Sequence, residues 1–193
     1  MYICKKKIHL AKQLPITTLG MEILRKKTVP VKKTDSKLIH LVENMFYTMD
    51  HAAGVGIAAP QVNSNLAVTV IDISTIEEHK KEKPLVLINP EIIDSHGNIE
   101  MEEGCLSIPD IRGMVNRPEK IYIKFNDFDL EEIKIEISGF LSRVVQHEID
   151  HLNGKLFIDY FSDEKKKEIR KDLNKIRKGK INTDYPLLIH SDN

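Results

Sequence analysis

The stretch Gln146-His147-Glu148-Ile149-Asp150-His151 decides how this chain organises its chemistry. On a helix, the four-residue step from His147 to His151 is just over one turn, so both imidazoles point the same way. Two adjacent imidazoles can occupy two corners of a tetrahedral metal site. Glu148 lies beside them without having to bind the metal, and a carboxylate there can take a proton from a metal-bound water. The stretch therefore predicts a helix with a catalytic metal site.

The flanking residues favour a mostly buried helix over an exposed helix that happens to carry polar residues. Ser138 is the predicted N-cap, and Gly154 is the predicted C-terminal stop. Between them, apolar residues extend both faces that carry the polar groups of the motif. One stripe consists of Phe140, Val144, His147 and His151, and the adjoining stripe consists of Leu141, Val145, Glu148 and Leu152.

The third metal ligand must come from outside this helix. Catalytic sites of this type usually have three protein ligands and one water. Metzincin proteases have a histidine at the position of Phe157, and phenylalanine cannot bind a metal. Cys4 lies in a lysine-rich segment and is expected to be a plain thiol. Cys105 lies within Glu103–Pro109, where glycine and proline predict irregular backbone. Cys105 is either a small buried hydrophobic residue or a thiolate that completes a Cys-His-His site.

Three sequence blocks together resemble the peptide deformylases. They are Gly54–Gln61 (GVGIAAPQ), Glu103–Ser107 (EGCLS) and Gln146–His151 (QHEIDH), in the order and at the spacing of that family. The resemblance covers roughly residues 15 to 178, with Ile57 where the family commonly has leucine. It implies a metal-dependent hydrolase that removes the N-formyl group from the N-terminal formylmethionine of newly synthesised polypeptides.

The resemblance also implies roles for individual residues. Glu148 would be the general acid and base, and the Gln61 side-chain amide and the Leu106 backbone N–H would stabilise negative charge on the formyl oxygen. The implied metal ligands are Cys105, His147 and His151.

A substrate pocket is implied by the same resemblance. Gly56 would let a peptide approach the backbone closely, in a strand-like pairing. Val55, Phe140 and Val144 would line the pocket for the methionine side chain, and Arg112 would lie near the outer part of the peptide.

The family implies one divalent metal ion, physiologically Fe2+. Two imidazoles and one thiolate also suit Zn2+, Ni2+ or Co2+, so the ligands alone do not select the metal. The expected partners are N-formylmethionyl nascent peptides.

Composition places the chain among globular proteins of one domain. It has 193 residues, 41% hydrophobic and 30% charged, with a net charge of zero. No apolar run approaches the roughly 18 residues that cross a bilayer, and no secretory signal is recognisable at the N-terminus. The two cysteines do not form a disulfide framework, so a reducing compartment, the cytoplasm, is expected.

Hydrophobic periodicity predicts an α+β fold, a single domain of residues 1–193 with antiparallel or mixed sheets around the central metal-binding helix. Residues 1–11 are predicted to form an N-terminal arm and residues 179–193 a tail. The other predicted elements are an amphipathic helix at 35–52, strands at 66–73, 84–93, 120–125 and 133–137, and a C-terminal helix at 162–178.

The sequence leaves two rival functions possible and does not decide the role of one basic segment. A zinc peptidase would take a downstream histidine, or a glutamate such as Glu164 or Glu168, as third ligand. A structural zinc domain would use four protein ligands and leave Glu148 and Gln61 without a role. Residues 165–180 carry nine Lys or Arg against two acidic residues, which is +7. The rest of the chain therefore carries −7, from 20 basic and 27 acidic residues. This basic segment is either a solvated helix face or a docking surface for the ribosome.

Overall fold

The computed structural model describes residues 10–189, which form nine strands and four α-helices. The strands are β1 (Ile16–Thr17), β2 (Gly56–Ala58), β3 (Val68–Ile71), β4 (Leu85–His96), β5 (Ile99–Cys105), β6 (Ile108–Arg117), β7 (Lys120–Asn126), β8 (Glu132–Ser138) and β9 (Leu187–Leu188). The helices are α1 (Ser36–His51), α2 (Gly139–Leu152), α3 (Asp163–Glu168) and α4 (Arg170–Arg177).

A five-stranded antiparallel sheet in the order β2-β3-β4-β7-β8 forms the centre of the fold. Its β7–β8 hairpin is the one that the alternating isoleucines predict, with Ile121 opposite Ile137 and Ile123 opposite Ile135. Strands β5 and β6 form a second, antiparallel pair, and β1 and β9 form a parallel pair. The arrangement confirms the expected α+β class with mainly antiparallel sheets.

Helix α1 begins and ends within a residue of its predicted bounds. Asp35 is the N-cap, and its carboxylate accepts hydrogen bonds from the backbone N–H groups of Lys37 and Leu38. Four residues of the predicted apolar stripe are fully buried against β2 and β3, and Leu41 and Phe46 are partly buried there. The fully buried residues are Leu38, Val42, Met45 and Met49.

Helix α2 lies on the central sheet. Its N-cap position is Ser138, as predicted, although the serine side chain makes no capping hydrogen bond. Gly154 follows its C-terminus with φ +73°, and a side chain there would come within 2.6 Å of the Arg25 carbonyl, so glycine is required. Val145 and Ile149 pack into the apolar cluster between helix and sheet. This packing turns the histidine face of α2 toward β5.

The backbone around Cys105 differs from the prediction. The segment was expected to be irregular, but Glu103–Cys105 ends strand β5, and Ile108 begins β6. The glycine lies at a shift of strand register between Gly104 and Cys105, and the two-residue turn Leu106–Ser107 connects the strands. Both features fit within a regular hairpin. The hairpin carries the thiol to the histidine face of α2.

The prediction of one continuous C-terminal helix at 162–178 is wrong, because the structure has two short helices there. Residue 162 is the N-cap of α3, and α3 and α4 are separated at Ile169, whose φ −85° and ψ 0° interrupt the helical path. The inward faces are as predicted, since Ile169, Leu173 and Ile176 are all buried. The predicted tail is also partly regular, because it contains β9. Most of the predicted N-terminal arm, like Cys4, lies outside the described residues.

Candidate metal centre and cleft

Three predicted ligands converge where β5 ends against α2. The Sγ of Cys105 and one ring nitrogen from each of His147 and His151 all lie within 4.8 Å of one another. Cys105 Sγ is 3.3 Å from His151 Nε2. In the part of the chain that the structure describes, this is the one group of three His, Cys, Asp or Glu residues that could hold a metal, and Glu164 lies exposed on α3.

A buried carboxylate orients one of these ligands from behind. Glu103 Oε2 is 3.0 Å from His147 Nδ1, which leaves the Nε2 of that ring for a metal. Glu103 also accepts hydrogen bonds from Arg117, at 2.7 and 3.1 Å, and from Arg143 at 2.9 Å. Arg117 continues to Asp150 on α2 at 2.6 Å. The network therefore fixes β5, β6 and α2 relative to one another.

Burial and hydrogen bonding act in opposite directions on these groups. Burial alone would raise the pKa of Glu103, but hydrogen bonds from His147 and Arg117 outweigh burial and hold that pKa well below its usual range. Burial lowers the pKa of His151 well below its ordinary value, so this imidazole is neutral, as a metal ligand must be. For His147 burial also lowers the pKa, but hydrogen bonds to Cys105 and Glu103 raise it further than burial lowers it.

Glu148 is buried next to the ligands and has one oxygen without a partner. Its Oε2 makes no hydrogen bond to any residue in the range 10–189. Burial raises the pKa of Glu148 to about 7, although the nearby His147 opposes this. The carboxylate packs on Gly56, where an added Cβ would lie 2.6 Å from Glu148 Oε1. Gly56 thus makes room for a protein carboxylate, a reason that the sequence alone did not suggest.

Gln61 comes from a 3-10 turn between β2 and β3, and its amide is held in one orientation. Its Oε1 accepts a hydrogen bond from the Ala58 N–H at 2.8 Å, so its Nε2 must face the other way. That nitrogen is 3.3 Å from Ser107 Oγ and 3.5 Å from Cys105 Sγ. The Gln61 donor and the turn that contains Leu106 therefore lie side by side at the candidate metal centre.

A cleft of about 980 Å3 opens above these groups. All five residues that the resemblance assigns to substrate binding line it, and so do Gln61, Leu106, Cys105, His147 and Glu148. The five residues are Val55, Gly56, Arg112, Phe140 and Val144.

Sequence reasoning missed four residues of this region. Glu103 belongs to the EGCLS block and precedes Cys105 by only one intervening residue. A carboxylate so near a candidate ligand in sequence was the signal that could have found it. Arg117 and Tyr185 lie outside the three blocks, and Arg143 lies just before the third, but none of them carried a local signal of the residue that it contacts.

Comparison with known proteins identifies the family of this chain. The family model described as polypeptide deformylase matches residues 13–167. The chain belongs to the peptide deformylase family. A peptide deformylase of Chlorobium phaeobacteroides (strain BS1) is 45% identical over 179 residues, which are 93% of this chain and 97% of that protein.

Solved deformylases share the fold. The crystal structure of the Legionella pneumophila peptide deformylase has 41% identity and a TM-score of 0.79, covering 88% of this chain and 98% of that one. The Acinetobacter baumannii peptide deformylase, solved with Met-Ala-Ser bound, has 35% identity and a TM-score of 0.74, covering 79% of this chain and 100% of that one.

The chain is therefore a deformylase, a metal-dependent hydrolase that removes the N-formyl group from the N-terminal formylmethionine of newly synthesised polypeptides. Among residues 10–189, no helix combines the length and the apolar character that a bilayer crossing needs.

Proposed function

We propose that this deformylase binds one divalent metal through Cys105, His147 and His151 and that Glu148 moves the protons of the reaction. The observation that carries the proposal is the convergence of the thiol and two imidazoles within 4.8 Å at the foot of the cleft. The donor set fits a catalytic metal, because three protein ligands leave one position for water. The Glu103 contact to His147 Nδ1 is the outer-shell support that such ligands usually have.

Glu148 is the proton carrier in this proposal. When bound, a divalent cation supplies a coordinated water of lowered pKa. Glu148 would take up a proton at Oε2, the oxygen that has no other partner in the described chain, and would deliver it to the nitrogen of the departing methionine. Its depth in the cleft excludes bulk water from the transfer.

Gln61 and Leu106 stabilise the charge that develops on the formyl oxygen. The Gln61 amide N–H and the Leu106 backbone N–H donate to that oxygen, and one good donor of this kind contributes roughly 3 to 4 kcal/mol. The hydrogen bond from Ala58 supports this role, because it aligns the Gln61 amide before substrate arrives.

The formylmethionyl peptide lies along the cleft beside β2. This strand is the edge of the central sheet, so its outer side is available to pair with an extended peptide at Val55–Gly56. Phe140 and Val144 line the methionine pocket, and Arg112 faces the outer part of the chain. The Acinetobacter baumannii relative was solved with Met-Ala-Ser bound, which supports a methionyl peptide as the ligand.

Fe2+ is the proposed physiological metal, and Zn2+, Ni2+ and Co2+ are alternatives that suit the same ligands. The proposed compartment is the cytoplasm, where formylated chains are made. The test is hydrolysis of a formyl-Met-Ala-Ser peptide by protein loaded with Fe2+, Ni2+ or Zn2+ without oxygen. We expect the iron protein to be active and to lose its activity on exposure to air, whereas retained activity in air would contradict the assignment.

The ligand set has its own test. In Cys105→Ser, a hydroxyl replaces the thiolate and binds these metals more weakly, so metal content and turnover should fall together. Cys4→Ser is the matched control and should change neither quantity. Equal behaviour of the two variants would mean that Cys105 is not a ligand.

We also propose that the basic segment 165–180 docks on ribosomal RNA, where the substrate emerges. Ile169, Leu173 and Ile176 hold α3 and α4 to the core, which leaves exposed lysines such as Lys167 and Lys171 facing outward. The test is co-sedimentation of Lys167→Ala/Lys171→Ala with ribosomes across a salt series. Weaker binding with a smaller salt dependence supports docking. The control is Lys32→Ala/Lys81→Ala, and equal binding of both double variants would contradict the proposal.

A further inference from the structure

The last described segment returns from the end of α4 to the active cleft, although the family match stops at residue 167. Strand β9 pairs with β1, and the N–H groups of Ile16 and Thr18 donate to the carbonyls of Pro186 and Leu188 at 2.8 and 3.0 Å. Leu187 packs against the apolar core around α1. The segment is therefore held in the fold directly after the residues that precede β9.

Those residues form part of the cleft itself. Asn182, Thr183, Asp184 and Tyr185 line it opposite α2. Thr183 Oγ1 donates a hydrogen bond to the Tyr185 carbonyl at 2.6 Å, which closes a small turn. This turn directs the Tyr185 ring toward the β5–β6 hairpin, and the ring also contacts the core around α1.

The Tyr185 hydroxyl reaches the turn that carries the proposed oxyanion donor. It donates to the Leu106 carbonyl oxygen at 2.9 Å. The neighbouring Ser107 carbonyl accepts from the Leu19 N–H at 3.0 Å, and Gln61 Nε2 lies 3.3 Å from Ser107 Oγ. Burial raises the pKa of Tyr185 to about 12, so the phenol keeps its proton and remains a donor at neutral pH.

We propose that Tyr185 is a positioning residue of the deformylase reaction, because its hydroxyl holds the Leu106 carbonyl and thereby limits the backbone rotation of Leu106, whose N–H is the proposed donor. The Leu106 carbonyl belongs to the planar peptide unit that Leu106 shares with Ser107, whereas the Leu106 N–H belongs to the unit that it shares with Cys105 at the end of β5. With one unit held by Tyr185 and the other by the strand, the two backbone dihedrals of Leu106 have little freedom, so its N–H cannot easily turn away from the formyl oxygen. An oxyanion donor is effective only when it is fixed before the charge develops. This inference rests on the proposed role of Leu106.

The test is Tyr185→Phe, which keeps the ring in the core and removes only the hydroxyl. On a formyl-Met-Ala-Ser peptide, we expect kcat to fall about fivefold to tenfold, the rate equivalent of one neutral hydrogen bond. KM should stay within about twofold, since the ground-state contacts of the peptide are unchanged. Metal content should be that of the unmodified protein. Tyr122→Phe is the matched control: it removes a phenol that hydrogen-bonds Glu136 on the sheet, away from the cleft, and should leave kcat unchanged.

Each alternative outcome has a distinct signature. An unchanged kcat, or a raised KM with unchanged kcat, would overturn the proposal and leave Tyr185 as a wall of the cleft. A joint loss of metal and rate would overturn it as well, because the hydroxyl would then act through Cys105. A second variant, Gln61→Leu, tests the proposed oxyanion stabilisation independently of Tyr185. If Gln61→Leu has the kcat of the unmodified protein, the oxyanion assignment fails, whereas a slow Gln61→Leu beside a normal Tyr185→Phe contradicts Tyr185 alone.

Discussion

The two walls of the cleft are held by different interactions. The helix wall, α2 with Glu103 behind it, is fixed by charged and buried hydrogen bonds from Arg117 and Arg143. The turn wall, Leu106–Ser107 with Gln61 and Tyr185, is fixed by neutral hydrogen bonds and by apolar packing. Charged buried bonds contribute more and cost more to break. We therefore expect damage to the helix wall to affect the proton carrier, metal binding and stability, and damage to the turn wall to affect rate alone.

The largest effect is expected from Glu148→Gln in the helix wall. The amide preserves the shape of the side chain but cannot accept the proton, so turnover should fall by about 10³-fold. Metal content should be unchanged, because Glu148 is not one of the three converging residues that are proposed as ligands. The measurement pairs metal analysis with steady-state deformylation. A fully metallated variant with a near-normal rate would refute the assigned role.

Glu103→Gln removes the charge behind the helix wall. Arg117 and Arg143 then share a buried site without their carboxylate, which should destabilise the protein by roughly 3 kcal/mol. His147 also loses its charged support, so metal affinity should fall about tenfold to a hundredfold. Denaturant unfolding and competition with a chelator measure the two effects.

The adjacent Glu102→Gln is the matched control for Glu103→Gln. Glu102 is exposed and 3.7 Å from Arg112, so its loss should change stability by less than about 0.5 kcal/mol. If both variants were equally stable, the buried network would not hold the helix wall.

Gly56→Ala tests the contact between β2 and the helix wall. The new Cβ would meet Glu148 Oε1 at 2.6 Å, so the carboxylate must shift by several tenths of an ångström. We expect kcat to fall about tenfold with metal content unchanged, because a displaced proton carrier is costly while the ligands are not touched. Gly139→Ala is the control: a Cβ there meets no atom within 4 Å, so only stability should change, owing to φ +63°. Equal rates for both variants would show that Glu148 tolerates displacement.

The helix wall could be predicted from sequence because its information is local. The spacing of His147 and His151 and the apolar residues around them follow one period, and the structure places them on one buried helix. The β7–β8 hairpin and α1 were predicted for the same reason. The break at Ile169 was not, since apolar periodicity continues across it and only the backbone geometry interrupts the helix.

The turn wall could not be predicted from local pattern. Cys105 and Gln61 came from motif and resemblance, and the contact of Tyr185 with Leu106 spans 79 residues of sequence. The support behind the helix wall was equally hidden: the hydrogen bond of Arg143 to Glu103 spans 40 residues, so neither arginine of the network could be assigned before the strands were paired. Distant segments are brought together by the burial of whole apolar faces of helices and strands. The sequence around a single tyrosine or arginine does not indicate which distant residue it will contact.

The smallest effect is expected at the outer rim of the cleft, where neither wall is involved. Arg112 is 71% exposed, and its ion pair with Glu102 is long, so Arg112→Ala should leave stability nearly unchanged. Its charge can still attract the carboxylate of a short peptide, so KM for formyl-Met-Ala-Ser should rise about threefold while kcat stays the same. The rise should shrink when the peptide ends in an amide or when salt is added, since both weaken that attraction. Arg170→Ala, an exposed arginine on α4, is the control and should leave KM unchanged. A fall in kcat for Arg112→Ala would mean that the rim orients the substrate for reaction. The rim would then be a third part of the cleft that affects rate, beside the helix wall and the turn wall.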